Sequence, residues 1–227
     1  MLLAALPKRK NPMTKVGVFD SGVGGLSVAT ALEKAMPSLE VIYVNDRKNV
    51  PYGSKKPEVL LELVTPILQQ LVDEGCKAIV IACNTVTTTL ITQLREQLPV
   101  PLVGIEPMVK PASAHTKTGV IAVCATPATL KSERYAWLKD TYAKDKTVIE
   151  PDCSQWSYMI EHNKVNDAYI QQQVTELCDA GADVIVLGCT HYHWIQEKIQ
   201  AMVQGRAIVI QPERAVIKQL QKVLAIN

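Results

Sequence analysis

The sequence predicts an α/β fold of two pseudo-symmetric α/β lobes, each built on a mainly parallel sheet, with a candidate site in the cleft between them. Three observations lead there. Short β-branched runs without apolar/polar alternation recur along the chain, so both faces of each strand are expected to be covered. Amphipathic stretches separate them, and strand–helix alternation is the pattern of a parallel sheet. Finally, the chain echoes itself. Gly75 to Cys83 and Gly181 to Cys189 have the same spacing and matching apolar content, and Val16–Ser21 and 119–126 open the two halves alike.

The runs at 15–20, 41–44, 78–82 and 102–105 are read as the strands of the first half. Those at 119–123, 147–149, 183–187 and 207–210 follow in the second. Residues 55–74 and 166–180 carry Leu, Val and Ile at helical spacing, with Gly75 and Gly181 as stops. The expected division is a flexible extension over 1–13, a first lobe over 14–105 plus 208–227 that takes back the C-terminal helix, and a second lobe over 106–207.

Composition narrows the function classes. The 227 residues are 48% hydrophobic and 20% charged, which suits a packed soluble chain and excludes global disorder. A formal net charge of +2 and 5% aromatic residues give no electrostatic or stacking case for nucleic acid. No apolar run approaches a membrane span, and the apolar start is too short for a secretory signal, so a cytoplasmic chain is expected. The six cysteines contain no CxxC pair, so most are read as reduced, buried, small hydrophobes.

Cys83 and Cys189 differ from the rest. Each follows a strand and precedes a helix, where ligands bind in such sheets. A helix N-terminus favours the thiolate, and Asn84, Thr85 and Thr190 are suitable capping residues there. Two opposed thiols suit inversion of a stereocentre: one removes a proton from carbon and the other supplies one to the opposite face. Ser21, Asn84, Thr85, Thr126, Thr129 and Thr190 offer donors for a carboxylate, which would also stabilise enolate-like charge. Asp20 and Glu161 are candidate acceptors for an ammonium group or a thiol proton.

The blocks Asp20-Ser21-Gly22-Val23-Gly24-Gly25-Leu26-Ser27, Val50-Pro51-Tyr52-Gly53, Ala82-Cys83-Asn84-Thr85, Ala125-Thr126-Pro127-Ala128-Thr129 and Gly188-Cys189-Thr190-His191-Tyr192 resemble the signature blocks of bacterial glutamate racemase, in order and spacing, over about residues 16–210. The resemblance implies a cofactor-independent amino-acid racemase that supplies D-glutamate for peptidoglycan. It implies Cys83 on one face of the substrate with Asp20 assisting, and Cys189 on the other with His191 assisting. Asp20 and Ser21 would help hold the amino group. Pro51, Tyr52, Gly53, Asn84, Thr85, Thr126, Thr129 and Thr190 would line the pocket and hold the carboxylates. A homodimer is expected from base rate and family habit. The chain departs from the family pattern at Asn49, where Arg is common, at Gln211, where Asp is common, and at Asp152-Cys153-Ser154, which lacks a proline before Glu161.

Other readings are weaker. Gly22-x-Gly24-Gly25 imitates a dinucleotide fingerprint, but Asp20-Ser21 in front of it is atypical. Cys189-x-His191-x-His193 suggests zinc without a second ligand cluster. A cysteine hydrolase built on Cys189 and His191 leaves Cys83 unexplained. Aspartate or hydantoin racemases, a one-cysteine decarboxylase and a catalytically silent binding protein are the remaining rivals. The second cysteine argues against the decarboxylase.

Overall fold

The structure, a computed structural model, describes residues 13–225. The extension expected over 1–13 therefore lies outside the described residues except for Met13. All eight expected strands form: β1 Thr14–Asp20, β2 Leu39–Asn45, β3 Ala78–Ile81, β4 Leu102–Gly104, β5 Val120–Ala125, β6 Thr147–Ile149, β7 Val184–Gly188 and β8 Ile208–Ile210. They make two four-stranded sheets, ordered β2-β1-β3-β4 and β6-β5-β7-β8, and every pairing is parallel. The two orders are the same, so the echo in the sequence is an echo in topology.

The lack of alternation in the strands has the expected cause. On β3, Ile79 and Ile81 pack with Leu60, Val64, Leu68 and Leu71 of helix α2 (Pro57–Asp73). Its Ala78 and Val80 pack on the other face, against Val28 and Leu32 of α1 (Leu26–Ala35). Every one of these side chains is buried, each contributing roughly 1.5–3 kcal/mol if large and aliphatic.

In the second sheet Ile185 and Leu187 of β7 face Ile170, Val174 and Leu177. Its Val184 and Val186 face Tyr135 and Leu138. Gly75 and Gly181 have φ of +87° and +91°, which ends the preceding helices where a side chain would be strained.

Helix α3 (Asn84–Gln97) completes the first lobe. Helix α4 (Val109–His115) packs Val109 and Ala112 against β5 and β7 of the second lobe, and α5 (Pro127–Leu130) follows β5 at the seam. The second lobe adds α6 (Glu133–Tyr142), α7 (Trp156–Glu161), α8 (Asp167–Asp179) and α9 (Gln196–Met202). The C-terminal α10 (Glu213–Val223) returns to the first lobe and buries Val216 and Leu220 with Val16, Val18 and Val80.

The boundary drawn at 208 is corrected by the pairing of β8. Val184, Ile185 and Val186 of β7 register with Ile208, Val209 and Ile210, so the last strand stays in the second lobe and the chain crosses back only beyond it. No helix among the described residues is long and apolar enough to cross a membrane.

A candidate active site between the lobes

The C-terminal ends of β1, β3, β5 and β7 open on one cavity of about 520 Å³. Cys83, just after β3, and Cys189, just after β7, both line it and are 5% and 8% exposed. Ser21, Pro51, Tyr52, Gly53, Asn84 and Thr85 line it from the first lobe. Thr126, Glu161, Thr190 and His191 line it from the second.

Two expected residues sit elsewhere. Asp20 is fully buried behind the wall. Its carboxylate accepts from the Gly25 N–H at 2.9 Å, the Gly22 N–H at 3.2 Å and the Thr190 hydroxyl at 3.0 Å. Thr129 is likewise buried behind Thr126, whose hydroxyl donates to it at 3.0 Å.

The glycine block explains how the lobes come this close. A Cβ on Gly24 would lie 2.4 Å from the Thr190 carbonyl carbon and 2.5 Å from the His191 nitrogen. One on Gly22 would lie 2.6 Å from Nε2 of His191. The turn that imitates a dinucleotide fingerprint is thus a bare backbone pressed on the segment after Cys189. Thr85 and Thr126 add a hydroxyl pair across the cleft, at 3.0 Å.

The capping expectation is corrected. Asn84 and Thr85 begin α3, and Thr190 begins a 3-10 helix, Thr190–Ile195, rather than an α-helix. None of the three caps a helix. A 3-10 helix sends successive side chains in three directions. Thr190 accordingly reaches Asp20, His191 reaches Glu161, and the Tyr192 hydroxyl donates to the Cys153 carbonyl at 2.9 Å. Asn84 is 3% exposed, and neither its Oδ1 nor its Nδ2 has a partner. An unpaired buried amide is costly, so this one is shaped for a polar group brought into the cavity.

The two thiols have different surroundings. The Cys83 thiol donates to the Ser21 hydroxyl at 3.3 Å. Burial, and then the nearby Asp20 carboxylate, push it up to about 12, against the help of the Ser21 hydroxyl and the Val86 N–H. The pull of a helix N-terminus toward the thiolate is outweighed here: desolvation wins, and Cys83 holds its proton, poised as a donor.

Cys189 lies 3.9 Å from Nδ1 of His191 and 3.5 Å from the Ser157 hydroxyl. Burial disfavours the His191 cation, but Cys189, Asp20 and Glu161 together raise His191 to about 9. Burial likewise raises Asp20, opposed by His191 and the Gly25 and Gly22 N–H groups. Glu161 is lowered: burial opposes its charge, and His191 and Arg47 outweigh that.

A stability prediction follows from His191. Its folded value lies above the ordinary 6.5, so its contribution is full below pH 6.5 and fades as pH rises through about 9. The difference in urea midpoint between this chain and His191→Gln should shrink over that window.

Sequence reasoning missed three residues at the site. Arg47 and Ser157 touch the Glu161–His191–Cys189 chain, and Tyr158 stacks on His162 at 4.1 Å beside the cavity. Ser157 was recoverable, since it stands one helical turn before Glu161. His193, weighed as a metal ligand, instead places Nδ1 3.4 Å from Ser27 and 3.3 Å from Glu213 of α10.

Comparison with known proteins adds an independent line. The chain matches the model of the Asp/Glu/Hydantoin racemase family over residues 26–220. It is 41% identical over 217 residues to a glutamate racemase of Pseudomonas putida, spanning 93% of this chain and 82% of the relative. A glutamate racemase of Pseudomonas aeruginosa is 40% identical over 218 residues, 92% of this chain and 81% of its own. Among solved structures, Escherichia coli glutamate racemase in complex with L-glutamate and the activator UDP-MurNAc-ala superposes with a TM-score of 0.87. It shares 28% identity and covers 94% of this chain and 83% of its own. The Francisella tularensis glutamate racemase in complex with D-glutamate has a TM-score of 0.78 and 28% identity, over 93% and 81% of the two chains.

Proposed function

The chain belongs to the Asp/Glu/hydantoin racemase family, and on that premise we propose that it interconverts L- and D-glutamate by proton transfer between two thiols. The observation that carries the reading is the placement of Cys83 and Cys189 at equivalent strand ends, lining one cavity beside an unpartnered Asn84 amide. One thiol must start as the base and the other as the acid. Cys83, which holds its proton, serves as the acid. Cys189, beside the His191 cation, serves as the base.

In that direction the Cys189 thiolate takes the Cα proton and the C–H electron pair moves into the α-carboxylate, giving an enolate-like dianion. Donors on the carboxylate stabilise that charge as it forms, and Ser21, Asn84 and Thr85 supply them. Cys83 then gives its proton to the opposite face of Cα and becomes the thiolate, ready for the reverse reaction. Asp20 acts from behind the wall: its field keeps Cys83 protonated and its carboxylate fixes Thr190. Thr126 and Thr129 secure the far wall.

The names of the relatives support glutamate over aspartate. Supply of D-glutamate to peptidoglycan, a cytoplasmic location and a homodimer complete the reading, and the six free cysteines suit a reducing compartment.

The test is chiral analysis of L-glutamate and L-aspartate, each incubated with reduced, chelator-treated protein. D-glutamate with little D-aspartate is the expected result, together with deuterium at Cα in heavy water. No D-glutamate from folded, reduced protein would overturn the reading in favour of another racemase of the family or a silent binding protein.

Asn84→Ala should raise KM roughly ten- to hundredfold, because a hydrogen bond to a charged ligand contributes about 1.5–3 kcal/mol. Its melting temperature should hold or rise, since an unpaired buried amide is removed. Steady-state kinetics and calorimetry check both.

A further inference from the structure

Glu161 carries one hydrogen bond on each carboxylate oxygen, and the two come from different lobes. Oε2 lies 2.7 Å from Nε2 of His191, in its own lobe. Oε1 accepts from Nε of Arg47, in the 3-10 turn Arg47–Asn49 that follows β2 in the first lobe. The partners are unlike in exposure: the Glu161 side chain is 5% exposed and that of Arg47 is 60%.

A carboxylate so buried is unfavourable as an anion unless its charge is matched and its oxygens are bonded. The imidazolium and the guanidinium together do both. Neighbouring groups are occupied elsewhere: Asp46 accepts from Asn49 and Tyr52, and Nδ1 of His162 faces the Tyr158 carbonyl. The first lobe also leaves room for the pair, since a Cβ on Gly22 would meet His191 at 2.6 Å and Glu161 at 3.0 Å.

We propose that Arg47 is a positioning residue: holding Glu161 from across the cleft, it sets the orientation of His191 and so governs proton transfer at Cys189, while Cys83 works independently of it. The inference rests on the two-thiol reading above. Each link is directional. The Arg47 bond fixes the rotation of the carboxylate, and the carboxylate fixes Nε2. Nδ1 is thereby turned to the Cys189 sulfur at 3.9 Å. Because Arg47 belongs to the first lobe and the other three residues to the second, the Cys189 side is completed only when the lobes meet. On the Cys83 side the direct partner, Ser21, belongs to the same lobe, and only Asp20 behind it reaches across, to Thr190.

The test uses Arg47→Met and Arg47→Lys in the full chain, where the exposed side chain makes both compatible with folding. In Arg47→Met, kcat should fall about ten- to hundredfold, as misplaced catalytic groups do. KM should change by less than about threefold, the pattern of an interaction made in the transition state. The primary deuterium isotope effect from Cα should rise for the enantiomer deprotonated by Cys189 and fall for the other, whose own C–H cleavage then limits the rate less. Arg47→Lys should restore part of kcat, and Arg47→Met should add nothing in a Glu161→Gln background.

A readout free of turnover is the ¹⁵N titration of the His191 ring, whose midpoint should fall in Arg47→Met as Glu161 loses its hold. If the unmodified chain fails to racemise glutamate, the functional reading falls and this titration alone decides the role of Arg47. An unchanged kcat, equal isotope effects for both enantiomers, additive loss with Glu161→Gln, or a His191 midpoint that stays or rises would each overturn the proposal.

Discussion

Replacing either sulfur by oxygen, in Cys83→Ser or Cys189→Ser, is expected to lower interconversion of the glutamate enantiomers by about 10²–10⁴-fold, the range of a lost general acid or base. A serine hydroxyl is nearly isosteric with the thiol but is far too weak an acid to exchange roles with a thiolate at neutral pH. The two variants should not behave alike. Cys83→Ser keeps the Cys189–His191–Glu161 chain, so it should still wash solvent deuterium into the enantiomer that Cys189 deprotonates. Cys189→Ser should retain exchange, if any, only in the other enantiomer. Both should fold, because each side chain keeps its shape and its hydrogen-bonded neighbour, Ser21 or Ser157. NMR of Cα exchange for each enantiomer, alongside chiral chromatography, separates these outcomes. Full racemisation by either variant would sink the two-thiol scheme.

Gly24→Ala should be nearly as damaging, although Gly24 carries no functional group. The added methyl would meet backbone atoms of Thr190 and His191 at 2.4 and 2.5 Å, and backbone cannot swing aside as a long side chain can. Overpacking of this kind costs about 1–3 kcal/mol of stability. The larger effect should be on activity. The seam it opens holds Asp20 to Thr190 and presents the first lobe to His191, so the thiols should separate and kcat/KM should fall by about 10²-fold. Leu26→Ala, two residues on at a 43% exposed side chain, should leave rate and stability almost unchanged. Denaturant midpoints and rates for the pair test the argument; a fully active Gly24→Ala would show that the close approach is not required for catalysis.

The strands, helices α2 and α8 and the pair of site cysteines were legible in the chain because each is set by local chemistry. A run such as Ala78–Ile81 has no polar side to show to water, so it must be a strand covered on both faces. A thiol directly after such a run must stand at the strand's carboxyl end, and the repeated Gly-to-Cys spacing placed two of them in equivalent positions. What the tertiary structure alone decided is who meets whom across the cleft. Arg47 and Glu161 are 114 residues apart, and Asp20 and Thr190 are 170 apart. No periodicity or spacing records such pairs, because they depend on how two finished lobes dock. The sheet chosen by β8 was hidden for the same reason: a short strand's sequence fixes its burial, not its neighbour. The protonation of Cys83 belongs here too. A helix start argues for a thiolate, but burial and Asp20 overrule it, and desolvation exists only once the surrounding atoms are in place.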